Sequence, residues 1–258
     1  MGSHEVLLET GAAGDAWITI NRPQKHNALA RTVLAELAEA VTRAGSDRST
    51  RCVVLRGTGE KYFAAGGDLV DLATIRTEEA TSLMADAATA ALDVVRNCPV
   101  PVIAYVNGDA LGGGAELAVA CDMRMLEAHA RIGFVHGRVG ITSAWGGGPD
   151  LYQLIGAGRA MRMMSRCEMI DAQTALSWGL VDVVVTGGAE SAGVESFLKP
   201  VLERSPLVLR SIKEQALAWR QGLSYAARRE IERKNLVATW LSNDHWAAVD
   251  RFLAGEKT

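Results

Sequence analysis

The chain has 258 residues, of which 48% are hydrophobic and 22% charged, and its formal net charge is −3 at pH 7. This length suits one substantial core with an appended extension. Its apolar runs are far shorter than the ~20 residues of a membrane span, and it has no block of Lys and Arg, so we expect neither a membrane location nor a nucleic-acid partner.

Cysteine usage and the start of the chain indicate where the protein works. Cys52, Cys98, Cys121 and Cys167 lie far apart and form no C-x-x-C pair, which is typical of free core thiols in a reducing compartment. The start, MGSHEVLLETG, lacks the charged and apolar regions of a secretory signal, so we expect a cytoplasmic location. Because His and Cys residues show no ligand spacing, we expect no metal and no redox cofactor.

Short β-branched runs alternate with longer helical patterns along most of the chain. The patterns predict strands at 16–20, 52–56, 102–106, 123–126 and 181–185, with helices at 30–43 and about 78–96. This alternation predicts an α/β fold in which helices cover the strands.

The character changes at about residue 195. The sequence from there predicts only amphipathic helices, at 195–204, 207–221, 225–241 and 245–253. Their apolar faces carry Trp219, Trp240, Trp246 and Phe252, which predicts packing either on the core or on a neighbouring subunit.

Two glycine-rich segments indicate close approach of the backbone to a ligand. FAAGGDL at 63–69 places two glycines between a strand and a helix, and NGDALGGGAELAVACD at 107–122 runs from a strand through three glycines into a helix. In the second segment the free N–H groups and the positive end of the helix dipole face one point, which favours an anion.

Two other interpretations of these segments are less well supported. A nucleotide-phosphate loop is poorly supported, because neither segment gives G-x-G-x-x-G and no G-x-x-x-x-G-K-[ST] occurs in the chain. A pair of tight turns without a ligand explains each segment singly, but two such segments in one chain, each followed by an acidic residue, favour a binding role.

With these motifs the chain resembles the crotonase (enoyl-CoA hydratase/isomerase) superfamily. The stretches NRPQKHNAL at 21–29, FAAGGDL, NGDALGGGAELAVACD and IDAQTALSWGLVDVVV at 170–185 follow the order and spacing of that family. The resemblance implies a spiral of ββα turns over residues 1–194 as the catalytic core. It also implies a C-terminal helical region at 195–258 that joins subunits into a homotrimer or a dimer of trimers.

The resemblance further implies an acyl-CoA thioester as substrate, with coenzyme A as part of it. The thioester oxygen would be held by the N–H groups of Gly67 and Gly113. The coenzyme A path would be lined by Lys25, His26, Ala64, Ala65, Gly66, Asp68 and Leu69, with Gly112 beside it. Two preorganised donors of this kind meet the charge that develops on a thioester oxygen as an enolate forms, and losing one typically costs ~3 kcal/mol of barrier.

Glu116 lies one turn into the glycine-started helix and matches the first of two glutamates that family hydratases use to add water. An acid in the first turn of a helix is also a common structural choice, because the helix dipole favours it. Beside an oxyanion site, we favour the catalytic interpretation, because acids with perturbed pKa values cluster in such sites.

The second hydratase glutamate is missing. Alignment of the glycines in IGFVHGRVGITSAWGGG at 132–148 puts His136 at that position. Addition of water conventionally needs one group as base and another as acid, so this departure argues against a plain hydratase. His136 can instead pair with or protonate an anionic substrate, although a lone histidine in a packed corner is the commoner case.

Among branches of the superfamily, GGGAE, FVH, GIT and the following WGG most resemble the ethylmalonyl-CoA and methylmalonyl-CoA decarboxylases. Loss of carbon dioxide from a malonyl thioester gives the enolate directly, so only a proton donor is needed afterwards. We expect Glu116 or His136 to be this donor, and Trp145 is as consistent with lining the apolar pocket as with an ordinary core position. The alternatives are an enoyl-CoA hydratase or isomerase acting on an unusual acyl group, and a non-catalytic acyl-CoA-binding subunit.

Overall fold

The computed structural model of the chain describes residues 4–255, so the outer limits of the two predicted regions, residues 1 and 258, lie outside it. Within these residues the strands are Val6–Thr10 (β1), Asp15–Ile20 (β2), Cys52–Gly57 (β3), Tyr62–Ala64 (β4), Val102–Val106 (β5), Asp109–Leu111 (β6), Met123–Glu127 (β7), Arg131–Gly133 (β8), Ile170–Asp171 (β9) and Val183–Val185 (β10).

The α-helices are Arg31–Ser46 (α1), Leu69–Leu72 (α2), Glu78–Arg96 (α3), Gly113–Ala120 (α4), Gly147–Ser165 (α5), Ala172–Trp178 (α6), Ala192–Leu202 (α7), Pro206–Arg220 (α8), Tyr225–Trp240 (α9) and Asn243–Leu253 (α10). Short 3-10 helices occupy Pro23–Lys25 and His136–Val139. No helix between residues 4 and 255 is both long and apolar enough to cross a membrane.

The strands form two sheets. The larger has the order β1-β2-β3-β5-β7-β10 and is parallel except for the β1–β2 pair, and the smaller has the order β4-β6-β8-β9 and is parallel except for β8–β9. Parallel strands need covering on both faces, which the helices provide. The predicted α/β class is therefore confirmed.

Alternate residues of β3 show how the two faces of the larger sheet are covered. Val53 and Leu55 belong to the main core with α1 and α3, whereas Cys52 and Val54 pack with Val194 and other apolar residues of α7. This division follows from the two-residue repeat of a strand. Helix α7, the first of the C-terminal helical run, thus packs directly on the larger sheet.

The four cysteines are free, and all except Cys167 are buried. Burial raises the pKa of the Cys52 and Cys121 thiols to about 12. These two side chains therefore stay protonated at neutral pH and act as small apolar groups in the core.

The aromatic side chains of the C-terminal helices are exposed in the single chain. The exposed fractions are 62% for Trp219, 51% for Trp240, 48% for Trp246 and 71% for Phe252. Of the two placements that the sequence predicts for them, packing on the chain's own core is wrong. An apolar surface of this kind is typical of an interface.

A buried ion pair fixes α8 to the core. The Nζ atom of Lys213, 2% exposed, lies 2.7 and 2.6 Å from the two carboxylate oxygens of Asp122, which follows α4 in the chain. The same carboxylate accepts the Val102 N–H, and Arg220 lies 3.3 Å away. The C-terminal helices are thereby held to the end of α4 and the start of β5.

Replacing Lys213 by methionine is expected to lower the free energy of unfolding by up to about 3 kcal/mol, because the partly buried carboxylate of Asp122 then keeps only Arg220 as a cationic partner. Urea denaturation followed by circular dichroism measures this difference. The matched control is Lys234→Met, which removes an exposed pair with Glu214 and should change stability by less than about 1 kcal/mol. Equal effects in the two variants would contradict the assignment.

Candidate active site

The two glycine segments meet because β4 and β6 are parallel neighbours in the smaller sheet, with Ala64 opposite Ala110. Each strand is followed by a glycine turn with positive φ, 97° at Gly66 and 52° at Gly112. A Cβ atom added to Gly66 would lie only 3.6 Å from the Gly113 nitrogen. The predicted pair of turns is therefore brought together at one end of the sheet.

The backbone N–H groups in these turns differ in whether they donate a hydrogen bond within the protein. The N–H of Asp68 donates to Leu29 O and the N–H of Gly112 donates to Gly133 O. In the described part of the chain, the N–H groups of Gly67 and Gly113 have no acceptor. These two amides are the donors that the family resemblance implies, and neither is used by a hydrogen bond within residues 4–255.

The indole of Trp145 contacts both turns. Atom Cη2 of its ring would lie 2.6 Å from a Cβ atom added to Gly113 and 3.6 Å from one added to Gly67. Trp145 is 7% exposed, and its backbone O accepts from Nη2 of Arg96 on α3 at 2.9 Å. Trp145 is thus both a buried core residue and a wall of the site.

Glu116 is 1% exposed and uses both carboxylate oxygens within the protein. Oε1 accepts the N–H groups of Trp145 at 3.0 Å and Gly147 at 3.2 Å. Oε2 lies 3.1 Å from Nε2 of His136. One carboxylate therefore fixes the segment that carries the indole and also orients the imidazole.

His136 begins the 3-10 helix His136–Val139, and its side chain is 10% exposed. Its ring packs on that of Phe134, with centroids 5.8 Å apart. A Cβ atom added to Gly112 would lie 3.6 Å from its Nε2. The imidazole thus lies over the turn that opens α4, and its other nitrogen, Nδ1, has no hydrogen-bond partner within residues 4–255.

The remaining predicted residues lie along two adjacent segments, 25–29 and 64–69. The N–H of Ala65 donates to His26 O at 3.1 Å, and the N–H of Leu29 donates to Gly66 O at 2.8 Å. Lys25 and His26 are exposed, as is Leu69 at 61%, whereas Ala64 is fully buried. The exposed side chains can contact a ligand at the surface. The buried residues hold the backbones of the two segments together.

The carboxylate of Asp68 makes hydrogen bonds and an ion pair within the protein. Its carboxylate caps α2 by accepting the N–H groups of Val70 and Asp71, and it pairs with Arg22 at 3.1 Å. Although burial alone would raise the pKa of Asp68, hydrogen bonds from the Asp71 N–H and from Arg22 outweigh this effect and leave the pKa below its usual value. Its side chain thus orders the turn that presents the Gly67 N–H.

Sequence reasoning missed the residues that hold these segments in place. Asn27 donates to the backbone O atoms of Thr58 and Tyr62, and its own Oδ1 accepts the Arg22 N–H. Arg96 on α3 bonds the Trp145 carbonyl and the Asp150 carboxylate. The stretch NRPQKHNAL contains Asn27, but no pattern in the sequence indicates Arg96.

Proteins with known family names resemble this chain over most of its length. The profile of the enoyl-CoA hydratase/isomerase family matches residues 10–257. A crotonyl-CoA hydratase of Syntrophomonas wolfei is 34% identical over 78% of this chain and 77% of that protein. An ethylmalonyl-CoA decarboxylase of Xenopus laevis is 31% identical over 92% of this chain and 80% of that protein.

Among solved structures, an enoyl-CoA hydratase from Bacillus anthracis superposes with a TM-score of 0.90 at 29% identity. The superposition covers 98% of this chain and 97% of that one. The core thus has the crotonase fold that the sequence predicts, and the relatives carry names of both a hydratase and a decarboxylase.

Proposed function

The chain belongs to the enoyl-CoA hydratase/isomerase family, and within it we propose that this protein decarboxylates an alkylmalonyl-CoA, namely ethylmalonyl-CoA or methylmalonyl-CoA. The N–H groups of Gly67 and Gly113 hold the thioester oxygen. What carries the proposal is the placement of these two unpaired amides against one indole, with the His136–Glu116 pair over the adjoining turn.

The arrangement of carboxylates favours decarboxylation over an addition of water that relies on two glutamates. Both oxygens of Glu116 are engaged, and no second carboxylate between residues 4 and 255 bonds to Glu116 or His136. Adding water across a double bond needs a base for the water and an acid for the α-carbon. Decarboxylation needs only the acid.

In the proposed reaction, the bond between the α-carbon and the carboxylate breaks and carbon dioxide leaves. The bonding electron pair stays on the thioester as an enolate, whose oxygen accepts from the Gly67 and Gly113 N–H groups. The α-carbon then takes the proton that His136 Nε2 shares with Glu116 Oε2, and a proton from solvent later restores the pair. Ethylmalonyl-CoA thus gives butyryl-CoA and methylmalonyl-CoA gives propionyl-CoA. Coenzyme A is part of the substrate, and no separate cofactor takes part.

The side chains have distinct roles in this proposal. His136 is the proton donor, because its Nε2 lies over the Gly112 turn beside the proposed enolate. Glu116 is a positioning residue, which orients that imidazole through Oε2. Lys25, His26 and Leu69 are exposed along the coenzyme A path, and Trp145 closes the apolar side of the site.

Hydration or isomerisation of an unusual enoyl-CoA is the second candidate. The relative named crotonyl-CoA hydratase supports it. So does the His136–Glu116 pair, since a carboxylate and an imidazole in contact can between them supply a base and an acid.

Incubation of the purified protein with methylmalonyl-CoA, ethylmalonyl-CoA and crotonyl-CoA, followed by mass spectrometry, separates the two candidates. We expect carbon dioxide with propionyl-CoA or butyryl-CoA from the malonyl thioesters. Conversion of crotonyl-CoA to a 3-hydroxy product, with both malonyl thioesters untouched, would reject decarboxylation in favour of hydration.

We also propose that α8–α10 join subunits into a homotrimer or a dimer of trimers. The support is the exposed apolar surface of these helices, including Trp240 and Phe252. Sedimentation equilibrium measures the number of subunits, and a monomer at micromolar concentration would contradict this assembly.

A further inference from the structure

The face of the larger sheet that packs against α7 is apolar along most of its length and polar at one end. On β3, Cys52 and Val54 pack with the apolar residues of α7, whereas the last residue of β3 on the same face is Arg56. The neighbouring strands show the same change, and the polar residues that end them on this face are Thr19 of β2, Tyr105 of β5 and Glu127 of β7. A row of polar side chains thus lies at the carboxyl ends of four adjacent strands.

A cavity of about 570 Å³ lies over this row. The rest of its lining comes from the segments that follow the same strands, namely 57–60, Asn107, His129 and 187–189. Small molecules commonly bind outside the carboxyl ends of parallel strands, in cavities of roughly 300–1,000 Å³. The position and the size of the cavity are therefore typical of a binding site.

The smaller sheet separates this cavity from the candidate active site, with which it shares no residue. Asn107 and residues 58–60 precede β6 and β4, whereas the glycine turns at Gly66 and Gly112 follow the same two strands. At about 3.3 Å for each residue, strands of this length hold the two places roughly 10 Å apart. The cavity is thus a second place where a ligand can bind.

Glu127 has a carboxylate oxygen without a partner in this cavity, although the residue is only 3% exposed. Its Oε1 accepts from the Tyr105 hydroxyl at 2.6 Å and from the Gly188 N–H at 3.0 Å. Its Oε2 accepts no hydrogen bond from any residue between 4 and 255, yet it is not sealed from solvent. Buried polar groups are normally satisfied within the protein or by water. Oε2 is therefore an acceptor that a ligand in the cavity can use.

The edge of the cavity is held by side chains that bond to backbone. Nδ2 of Asn107 donates to Gly57 O at 2.7 Å, and its Oδ1 accepts the Gly57 N–H at 2.9 Å. A ring nitrogen of His129 lies 2.9 Å from Glu60 O. These bonds fix the edge without the help of a ligand.

The charges around the cavity favour a cation. The guanidinium of Arg56 already has partners, because it lies 5.0 Å from the centre of the Trp17 ring and 3.6 Å from the carboxylate of Glu9. The carboxylates of the lining, those of Glu127 and Glu60, then leave an excess of negative charge. A positively charged ligand lowers the electrostatic energy of this arrangement.

We propose that this cavity binds a small organic amine, whose ammonium group donates to Glu127 Oε2. A hydrogen bond between charged groups is roughly twice as strong as one between neutral groups, so a free carboxylate oxygen selects an ammonium over a hydroxyl. A hard metal ion needs several oxygen ligands at once, whereas an ammonium needs one strong acceptor. This inference does not depend on the placement of the thioester or on decarboxylation.

The first test compares 1,4-diaminobutane with 1,4-butanediol, a neutral molecule of the same length, on the unmodified protein. One ammonium of the diamine can meet Glu127 and the other can meet Glu60. Isothermal titration calorimetry at low ionic strength is expected to show at least about tenfold tighter binding of the diamine. Equal affinities, or no binding of the diamine, would overturn the inference.

The variant Glu127→Gln tests the assigned carboxylate. Glutamine keeps an Oε1 that can accept from Tyr105 and Gly188, so the fold should be preserved, but it carries no charge. We expect the affinity for 1,4-diaminobutane to fall at least about tenfold. The matched control is Glu39→Gln, which removes the same charge from an exposed position of α1 outside the cavity and should leave the affinity unchanged. Equal losses in the two variants would mean that the diamine is attracted only by the overall charge.

Circular dichroism shows whether Glu127→Gln is folded, and if it is not, the comparison of diamine and diol on the unmodified protein decides. Sedimentation equilibrium examines a different occupant, a Lys or Arg side chain of a second copy of the chain. We expect the unmodified protein and Glu127→Gln to contain the same number of subunits. A smaller assembly in the variant would identify the occupant as a neighbouring subunit and overturn the assignment to a free amine.

Discussion

Replacing His136 by glutamine is expected to lower kcat by about 10²- to 10⁴-fold, the usual contribution of a positioned general acid. Glutamine is close in size and keeps a polar group near Glu116, but it cannot deliver a proton. Because the lost interaction is made in the transition state, KM should change little. Steady-state kinetics on whichever thioester the protein turns over measures both constants.

A double-mutant cycle with Glu116→Gln tests whether the two residues act as one unit. The bond between His136 Nε2 and Glu116 Oε2 is 3.1 Å long. Loss of a carboxylate that orients a catalytic histidine can cost as much as about 10⁴-fold in kcat. We expect the double variant to be no slower than the worse single variant, whereas multiplied losses would show that the residues act independently.

Gly67→Pro is expected to lower kcat by about 10²- to 10³-fold, because it removes one of the two amide hydrogens proposed to hold the enolate oxygen. The Gly67 N–H has no acceptor among residues 4–255, so its removal breaks no bond within the protein. The comparison variant is Gly67→Ala, which keeps the amide. Its added Cβ would meet the flexible end of Leu72 at 3.1 Å, a contact that can relax.

The informative quantity is the ratio of kcat between the proline and alanine variants. Circular dichroism and the affinity for butyryl-CoA show whether each variant is folded and binds. If both fold, bind and turn over at similar rates, the Gly67 amide is not an oxyanion donor. Gly113 does not allow this comparison, because even an alanine there would collide with the Trp145 ring.

The long elements of the fold could be predicted from periodicity alone. The strand predicted at 102–106 and the helix predicted at 78–96 coincide with Val102–Val106 and Glu78–Arg96. A fully apolar strand such as VIAYV and a 19-residue amphipathic helix carry strong signals. By contrast, no bounds were predicted for the strands of the smaller sheet, because they are only two or three residues long and show no period of their own.

The part of the candidate site that is formed by backbone conformation could be predicted from the sequence. The part that is formed by contacts between side chains far apart in the chain could not. The glycine turns are visible in the sequence because glycine adopts the positive φ found at Gly66 and Gly112 far more readily than other residues do. The bond between Glu116 and His136 joins residues twenty positions apart. Nothing in their spacing indicates that one orients the other, so the sequence left the proton donor undecided between them.

Glu116 also has a consequence for interpreting related sequences. Its Oε1 holds the backbone of Trp145 and Gly147, whatever Oε2 does for His136. A descendant that had lost turnover would still need a side-chain oxygen here to accept these two N–H groups. The presence of this residue alone is therefore a poor diagnostic of an active enzyme, and the pairing with a histidine twenty positions later is the more informative signature.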